Sequence, residues 1–103
     1  MKTCKITVIR QTNYPDLSEK YENLLETPCN MEMGQVFFSY AAEMPEGFCY
    51  SAWDSVGPYV QRLANGESNF FDGWMKDPFS AMISCNDGFR PVSFYIEAME
   101  ESE

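Results

Sequence analysis

The sequence predicts an α+β fold, in which two helices pack on a small four-stranded mixed or antiparallel sheet, open or curled toward a barrel. Three observations support it: β-branched alternation near both ends of the chain, two stretches of helical spacing, and an Asn-Asp-Gly turn before the last strand. The expected order is β-α-β-α-β-β. With 103 residues, 45% of them hydrophobic, we expect a single domain over residues 1–103.

The first half of the chain supplies two strands and one helix. Residues 3–10 alternate and are rich in β-branched types, which predicts the first strand. Pro15 suits the first position of a helix, where its missing N–H is not needed, and the predicted helix of two to three turns ends at Pro28. After Gly34, residues 35–40 are strong strand formers.

A longer helix is predicted from Tyr50 to a cap at Gly66, because apolar residues recur there at helical spacing. Pro58 lies inside this stretch and cannot donate to the carbonyl four residues earlier, so we expect a kink or two short helices in succession.

Residues 80–85 and 91–99 are predicted to form a C-terminal hairpin. The turn between them, Asn86-Asp87-Gly88, is expected to place Gly88 at positive φ, with the Asp87 side chain stabilising the turn. The acidic tail, residues 100–103, is expected to fray.

Charge and histidine content narrow the possible functions. A formal charge of −9, with seven scattered cations, argues against nucleic acid and anionic membrane surfaces as partners. The chain has no histidine, which excludes Ser-His-Asp and Cys-His catalysis and histidine-ligated zinc. We expect a cytoplasmic protein without a membrane span, since no segment approaches about 20 apolar residues and the N-terminus lacks a signal-peptide core.

Several motifs resemble a known family. The chain contains PC at 28–29, PEGFC at 45–49 followed by AW at 52–53, and CNDGFRPV at 85–92. Together they resemble a family of small bacterial and archaeal proteins of about this length that has no established activity. The resemblance implies a shared fold and cysteines at positions 29, 49 and 85, and Cys4 does not belong to the pattern.

In a reducing compartment the four cysteines are expected to be free thiols or metal ligands. Cys29, Cys49 and Cys85 lie at ends of predicted elements, which can converge at one rim of a sheet. With Asp87 or Cys4 as a fourth group they would suit zinc or part of an iron–sulfur cluster, although no pair has the two-residue spacing of zinc knuckles. The alternatives are buried inert thiols and a reactive thiol. The best candidate for a reactive thiol is Cys49, where a helix N-terminus favours the thiolate and burial by Phe48 and Tyr50 would disfavour it.

Residues 67–79 form a predicted loop rich in large apolar side chains, which we expect to fold over the core. The alternative is that the loop segment 69–79, or a pocket beneath it, contacts a ligand, a protein partner or a second copy of the chain. The candidate contact residues are Trp53, Phe70, Phe71, Trp74 and Arg90. Arg90 is expected to pair with Asp87 or another carboxylate across the hairpin rather than bind an anionic ligand.

The resulting functional hypothesis is a small non-enzymatic binding or interaction module. The alternative is a cysteine-based metal or redox-active site built on Cys29, Cys49 and Cys85, and no carboxylate pair stands out as catalytic. No resident cofactor is expected from the sequence, apart from the metal that this alternative would require.

Overall fold

The structure is a computed structural model that describes residues 1–23 and 31–99. It confirms the α+β class and the predicted element order, with an antiparallel sheet that is not closed into a barrel. The elements are β1 (Cys4–Gln11), α1 (Pro15–Tyr21), β2 (Val36–Ser39), α2 (Tyr50–Ala64), β3 (Ser80–Ser84) and β4 (Val92–Ala98). Within the described residues, no helix is both long and apolar enough to cross a membrane.

The first and last strands of the chain occupy the centre of the sheet, whose strand order is β2-β1-β4-β3. All three pairings are antiparallel. In the register, Ile6 of β1 lies opposite Phe37 of β2 on one side and Ile96 of β4 on the other. Alternation then sends Ile6, Ile96 and their neighbours two residues away to the same face, which is the core face.

Helix α2 covers the core face of the sheet. Its apolar residues Ala52, Val56, Val60 and Leu63 recur every three or four positions and are all buried. They pack with the inward residues of β1, β3 and β4 into one hydrophobic cluster. Each large aliphatic side chain buried in this way contributes about 1.5–3 kcal/mol relative to exposure.

Of the two outcomes predicted for Pro58, two short helices in succession is wrong, because α2 continues from Tyr50 to Ala64, and a kink stays a prediction. Pro58 is exposed, and so is Asp54, the residue four positions earlier whose carbonyl loses its helical donor. Solvent can satisfy that carbonyl, and the buried side of the helix keeps its packing on both sides of the proline.

Helix α1 is a surface helix of seven residues, at the short end of the prediction, and none of its side chains is buried. Glu22, which follows it, has extended backbone. Residues 24–30 and 100–103 lie outside the described residues. Because α1 already ends at Tyr21, the prediction that this helix continues to Pro28 is wrong. The placement of Cys29 and the fraying of the tail stay predictions.

The β3–β4 hairpin is present, but its turn differs from the prediction. Gly88 is not at positive φ; the described glycines that are so placed are Gly34, Gly47, Gly66 and Gly73. The connection spans residues 85–91, which is long enough to reverse direction without a left-handed residue at that position. Asp87 holds this connection as expected, since its Oδ1 accepts from the backbone N–H groups of Phe89 at 2.8 Å and Arg90 at 3.3 Å.

The contact between Gly57 and Trp53 yields a stability prediction. A Cβ atom at Gly57 would lie 2.9 Å from Cε2 and Nε1 of the Trp53 ring, which packs edge-on against Phe48 at 5.8 Å. Gly57→Ala should therefore lower the free energy of unfolding by about 1–3 kcal/mol through overpacking, although alanine is the better helix former.

Gly88→Ala is the matched control, because a Cβ there meets nothing within 4 Å and its φ is not positive. Urea unfolding followed by tryptophan fluorescence should show little change for this variant. A Gly57→Ala protein more stable than the wild type would contradict the packing described for Trp53.

Candidate functional site

A cleft of about 540 Å³ opens where three segments meet: the end of α1, the beginning of α2, and the β3–β4 connection with the start of β4. Its lining comes from residues 21–23, 49–52 and 85–94. The volume lies within the range of about 300–1,000 Å³ that is typical of small-molecule sites. The cleft is the strongest candidate for a functional site within the described part of the chain.

The floor of the cleft is apolar and belongs to the core. Ala52 of α2 and Val92 and Phe94 of β4 are buried and line it. The Phe94 ring lies 5.3 Å from the ring of Phe48, which in turn packs edge-on against Phe37. The buried aromatic rings of the core therefore form part of the floor of the cavity.

An ion pair closes one side of the cleft. Arg90 Nη1 donates to Glu22 Oε2 at 2.9 Å, and Arg90 Nη2 lies 2.8 Å from Glu22 Oε1. This two-point contact joins the β3–β4 connection to the end of α1. The hydrogen bond with Glu22 raises the pKa of Arg90, burial opposes the rise, and the charges of Glu22 and Asp87 add to it.

Two of the three candidate cysteines line this cleft. Cys49 is the N-cap residue of α2, and Cys85 directly follows β3; both are half-buried. The backbone N–H of Val92 donates to Cys85 Sγ at 3.2 Å, which fixes the direction of that sulfur. Asp87 lines the same cleft, whereas Cys29 falls outside the described residues.

The metal hypothesis receives no assembled ligand set from the described residues. Within residues 1–23 and 31–99, no group of three or more Cys, Asp and Glu side chains is arranged to hold a metal ion. Asp87, the proposed fourth ligand, instead accepts hydrogen bonds from its own turn. The described part of the cleft therefore offers two thiols without a third metal ligand.

Cys4 has a different environment from the cleft cysteines. Its side chain is fully buried between β1 and α2, and its Sγ lies 3.7 Å from the carbonyl oxygen of Val60, to which it donates. Burial raises the pKa of Cys4 to about 11, with the charge of Lys2 opposing the rise. Cys4 is a core residue and does not line the cleft.

The candidate aromatic residues separate into buried and exposed ones. Trp53 is half-buried against the core, and Phe70 is buried beneath the Arg62 guanidinium, 4.5 Å from its ring centroid. Phe71 is 72% exposed and Trp74 is 42% exposed, and their rings meet edge-on at 5.3 Å. The expectation that the loop folds over the core is right for Phe70 and wrong for Phe71 and Trp74.

The backbone of this loop holds Phe71 in a costly conformation. Phe71 has φ of 53°, and its neighbours Asn69 and Asp72 are also in the left-handed region. Asparagine and aspartate tolerate that region, but a bulky residue there costs about 1–2 kcal/mol. None of the cleft lining comes from residues 69–79, so the predicted pocket beneath the loop is not this cleft.

Glu22, Asn23 and Ser51 are among the lining residues that were not predicted as site residues. Glu22 pairs with a residue 68 positions away, and no local pattern marks such a partner. Ser51 had a usable signal, since it lies in the first turn of a predicted helix beside Cys49. The expectation that Arg90 pairs with a carboxylate of the protein rather than with an anionic ligand agrees with the geometry. The partner is Glu22 after α1, however, and not Asp87 or another carboxylate across the hairpin.

Comparison with known proteins found no matching family model, no matching curated protein and no matching solved structure. The family resemblance of the cysteine motifs therefore stays a prediction.

The burial of Cys4 predicts a pH-dependent contribution to stability. Its pKa rises from 9.0 to about 11 on folding, so its contribution is complete below about pH 9 and is lost as the pH rises through about 11. The difference in unfolding free energy between wild type and Cys4→Ala should shrink by about 2–3 kcal/mol over this range.

Urea unfolding of both proteins, from neutral pH to above the raised pKa, measures this difference. Tyrosine and lysine titrations are shared by the two proteins and cancel in the comparison. A difference that stays constant across the whole range would show that Cys4 is not desolvated as described.

Proposed function

We propose that the protein is a non-enzymatic binding module whose cleft between α1, α2 and the β3–β4 connection binds a compact, partly apolar ligand. The observation that carries this proposal is the cavity of about 540 Å³ with a buried apolar floor at Ala52, Val92 and Phe94. Cavities with an apolar floor and a few polar groups at the rim are typical ligand sites.

The polar groups of the rim favour binding over catalysis. The Glu22 carboxylate is engaged with Arg90, and the Asp87 carboxylate accepts from its own turn. The chain contains no histidine that would act as a general base. The charged side chains of the cleft thus serve to hold its walls together.

The remaining rim groups indicate the chemistry of the ligand. Asn23 and Asn86 contribute side-chain amides, and Ser51 contributes a hydroxyl. These are neutral donors and acceptors, and the Arg90–Glu22 pair neutralises its own charges. A neutral ligand with an apolar body and one hydrogen-bonding edge fits this lining, whereas the net charge of −9 disfavours polyanions such as nucleic acid.

The described thiols also support the expected cellular location. Cys4, Cys49 and Cys85 are free. Because unpaired, partly exposed cysteines are typical of reducing compartments, we propose a cytoplasmic location for the protein.

Blocking the mouth of the cleft tests the proposal. Ser51 is exposed in the first turn of α2 and lines the cleft, so Ser51→Trp should fill the entrance while leaving the core intact. In a screen of small neutral fragments by amide chemical shifts, wild-type binders should perturb Ala52, Asn86 and Phe89. Ser51→Trp should weaken their binding about tenfold or more by steric exclusion.

Gln61→Trp is the matched control, because Gln61 is exposed on the same helix but does not line the cleft. It should bind the same fragments with unchanged affinity. The proposal fails if no fragment perturbs the cleft residues, or if binding survives equally in Ser51→Trp.

The exposed aromatic pair Phe71–Trp74 favours a second candidate function, contact with a protein partner. Phe71 is held at positive φ with most of its surface in water, and strained backbone of this kind is common at functional sites. Asp72 and Asp77 lie in the same loop, in a chain of net charge −9. We propose that the partner contributes a basic segment with apolar side chains; a second copy of this acidic chain would be repelled.

Phe71→Gly separates binding from folding. Glycine relieves the left-handed strain, so the variant should be more stable than wild type by up to about 1 kcal/mol. It should also lose most of its affinity for a basic amphipathic model peptide in fluorescence titrations at low salt, because the aromatic contact is removed.

Tyr50→Ala is the control for the peptide titration, since Tyr50 is 79% exposed and lies outside the loop. It should keep the affinity of the wild type. Equal peptide binding by wild type and Phe71→Gly, or concentration-dependent self-association of the wild type, would rule out the basic partner.

A further inference from the structure

The two cleft thiols suggest chemistry beyond reversible ligand binding. We propose that the cleft is a covalent modification site, at which Cys49 and Cys85 form mixed disulfides with small disulfide-containing molecules. The class of substrate is a low-molecular-weight disulfide, such as the oxidised form of a cellular thiol. The proposal does not require that the cleft also bind a neutral ligand.

Two separate elements bring thiols to one open cavity. Cys49 comes from the N-terminus of α2 and Cys85 from the end of β3, 36 positions later in the chain. Both are half-buried, which leaves part of each residue accessible from the cleft. A pair of accessible thiols in one cavity presents two nucleophiles to the same small molecule.

The sulfur of Cys85 is held in place by a backbone hydrogen bond. The N–H of Val92 donates to Cys85 Sγ at 3.2 Å, and the N–H of Cys85 donates to the Val92 carbonyl at 2.9 Å. These two bonds continue the β3–β4 ladder into the cleft wall. Thiol–disulfide exchange requires the attacking sulfur to lie nearly in line with the S–S bond that breaks, and a sulfur held in one direction at the wall of the cavity favours that alignment.

Cys49 lies at the N-terminal end of α2. It precedes a helix of 15 residues whose first turn contains no acidic side chain, and no side chain among the described residues caps it. The N-terminal end of a helix is a favourable location for negative charge, which the attacking sulfur carries as a thiolate before the new S–S bond forms. Cys49 therefore combines access with a suitable electrostatic position.

The cleft also provides room for the product. A volume of about 540 Å³ accommodates a small thiol attached to either cysteine. Cys4, by contrast, has no room for an attached thiol, because its side chain is fully buried in the core. Burial also raises the pKa of Cys4 to about 11. The two environments predict site-selective modification.

The exchange step balances without any further oxidant. The deprotonated sulfur of Cys49 or Cys85 attacks one sulfur of the small disulfide; a protein–sulfur to ligand–sulfur bond forms, and the original S–S bond breaks. The second half of the small disulfide leaves as a thiolate and takes up the proton that the cysteine released. A reducing thiol reverses the reaction.

Cystamine and glutathione disulfide are suitable probes. After exposure of native protein to either, a protease that cuts after glutamate places each cysteine in its own peptide: 1–19, 27–32, 47–67 and 68–97. Mass spectrometry over time should show reducible adducts on Cys49 and Cys85 about tenfold or more faster than on Cys4. A disulfide linking peptides 47–67 and 68–97 would also support the proposal, because it follows from attack by the second thiol on the first adduct.

Ser51→Trp, with Gln61→Trp as its control, shows whether the cleft governs the reaction. The first variant should slow adduct formation at Cys49 and Cys85, and the second should not. Equal rates at the cleft thiols and Cys4 in native protein, adducts confined to Cys29, or rates unaffected by Ser51→Trp would overturn the proposal. Fragment binding without thiol exchange would leave only the ligand-binding function, and exchange without fragment binding would leave only the modification site.

Discussion

The pairing of β1 with β4 at the centre of the sheet is the constraint from which the rest of the structure follows. It places Val8 opposite Phe94 and Ile6 opposite Ile96, so the two ends of the chain form the middle of the core. Because the paired residues are far apart in sequence, the core closes only when most of the chain is in place. Helix α2 then has one apolar face of the sheet to cover, and its N-terminal end lies near Phe94, where the cleft forms.

The charged residues that line the cleft are engaged in contacts with other protein groups. Glu22 and Arg90 join two segments, and Asp87 holds the turn between them. What faces the cavity after these contacts is mostly neutral: amides, a hydroxyl, aromatic rings and two thiols. Cys49 and Cys85 are half-buried and line this cavity, whereas Cys4 is fully buried in the core.

The loop after α2 gives two adjacent aromatic residues opposite environments. Phe70 is buried and packs edge-on against Tyr59 at 5.4 Å, which anchors the loop to the helix. The next residue, Phe71, is turned outward by its left-handed backbone and meets Trp74 in solvent. The buried neighbour stabilises the loop and so maintains the strain at the exposed one, a combination that is common at functional surfaces.

Local patterns in the sequence determined the six elements, their order and the inward faces, because periodicity and turn residues act over a few positions. Thus β4 and the apolar stripe of α2 were predictable, whereas the unbroken helix at Pro58 and the conformation of Gly88 were decided by their surroundings. Only the tertiary structure brought Cys49 and Cys85 to one cleft and paired Arg90 with Glu22, 68 positions away. Such contacts depend on how the sheet closes, and no local segment of the sequence specifies that geometry.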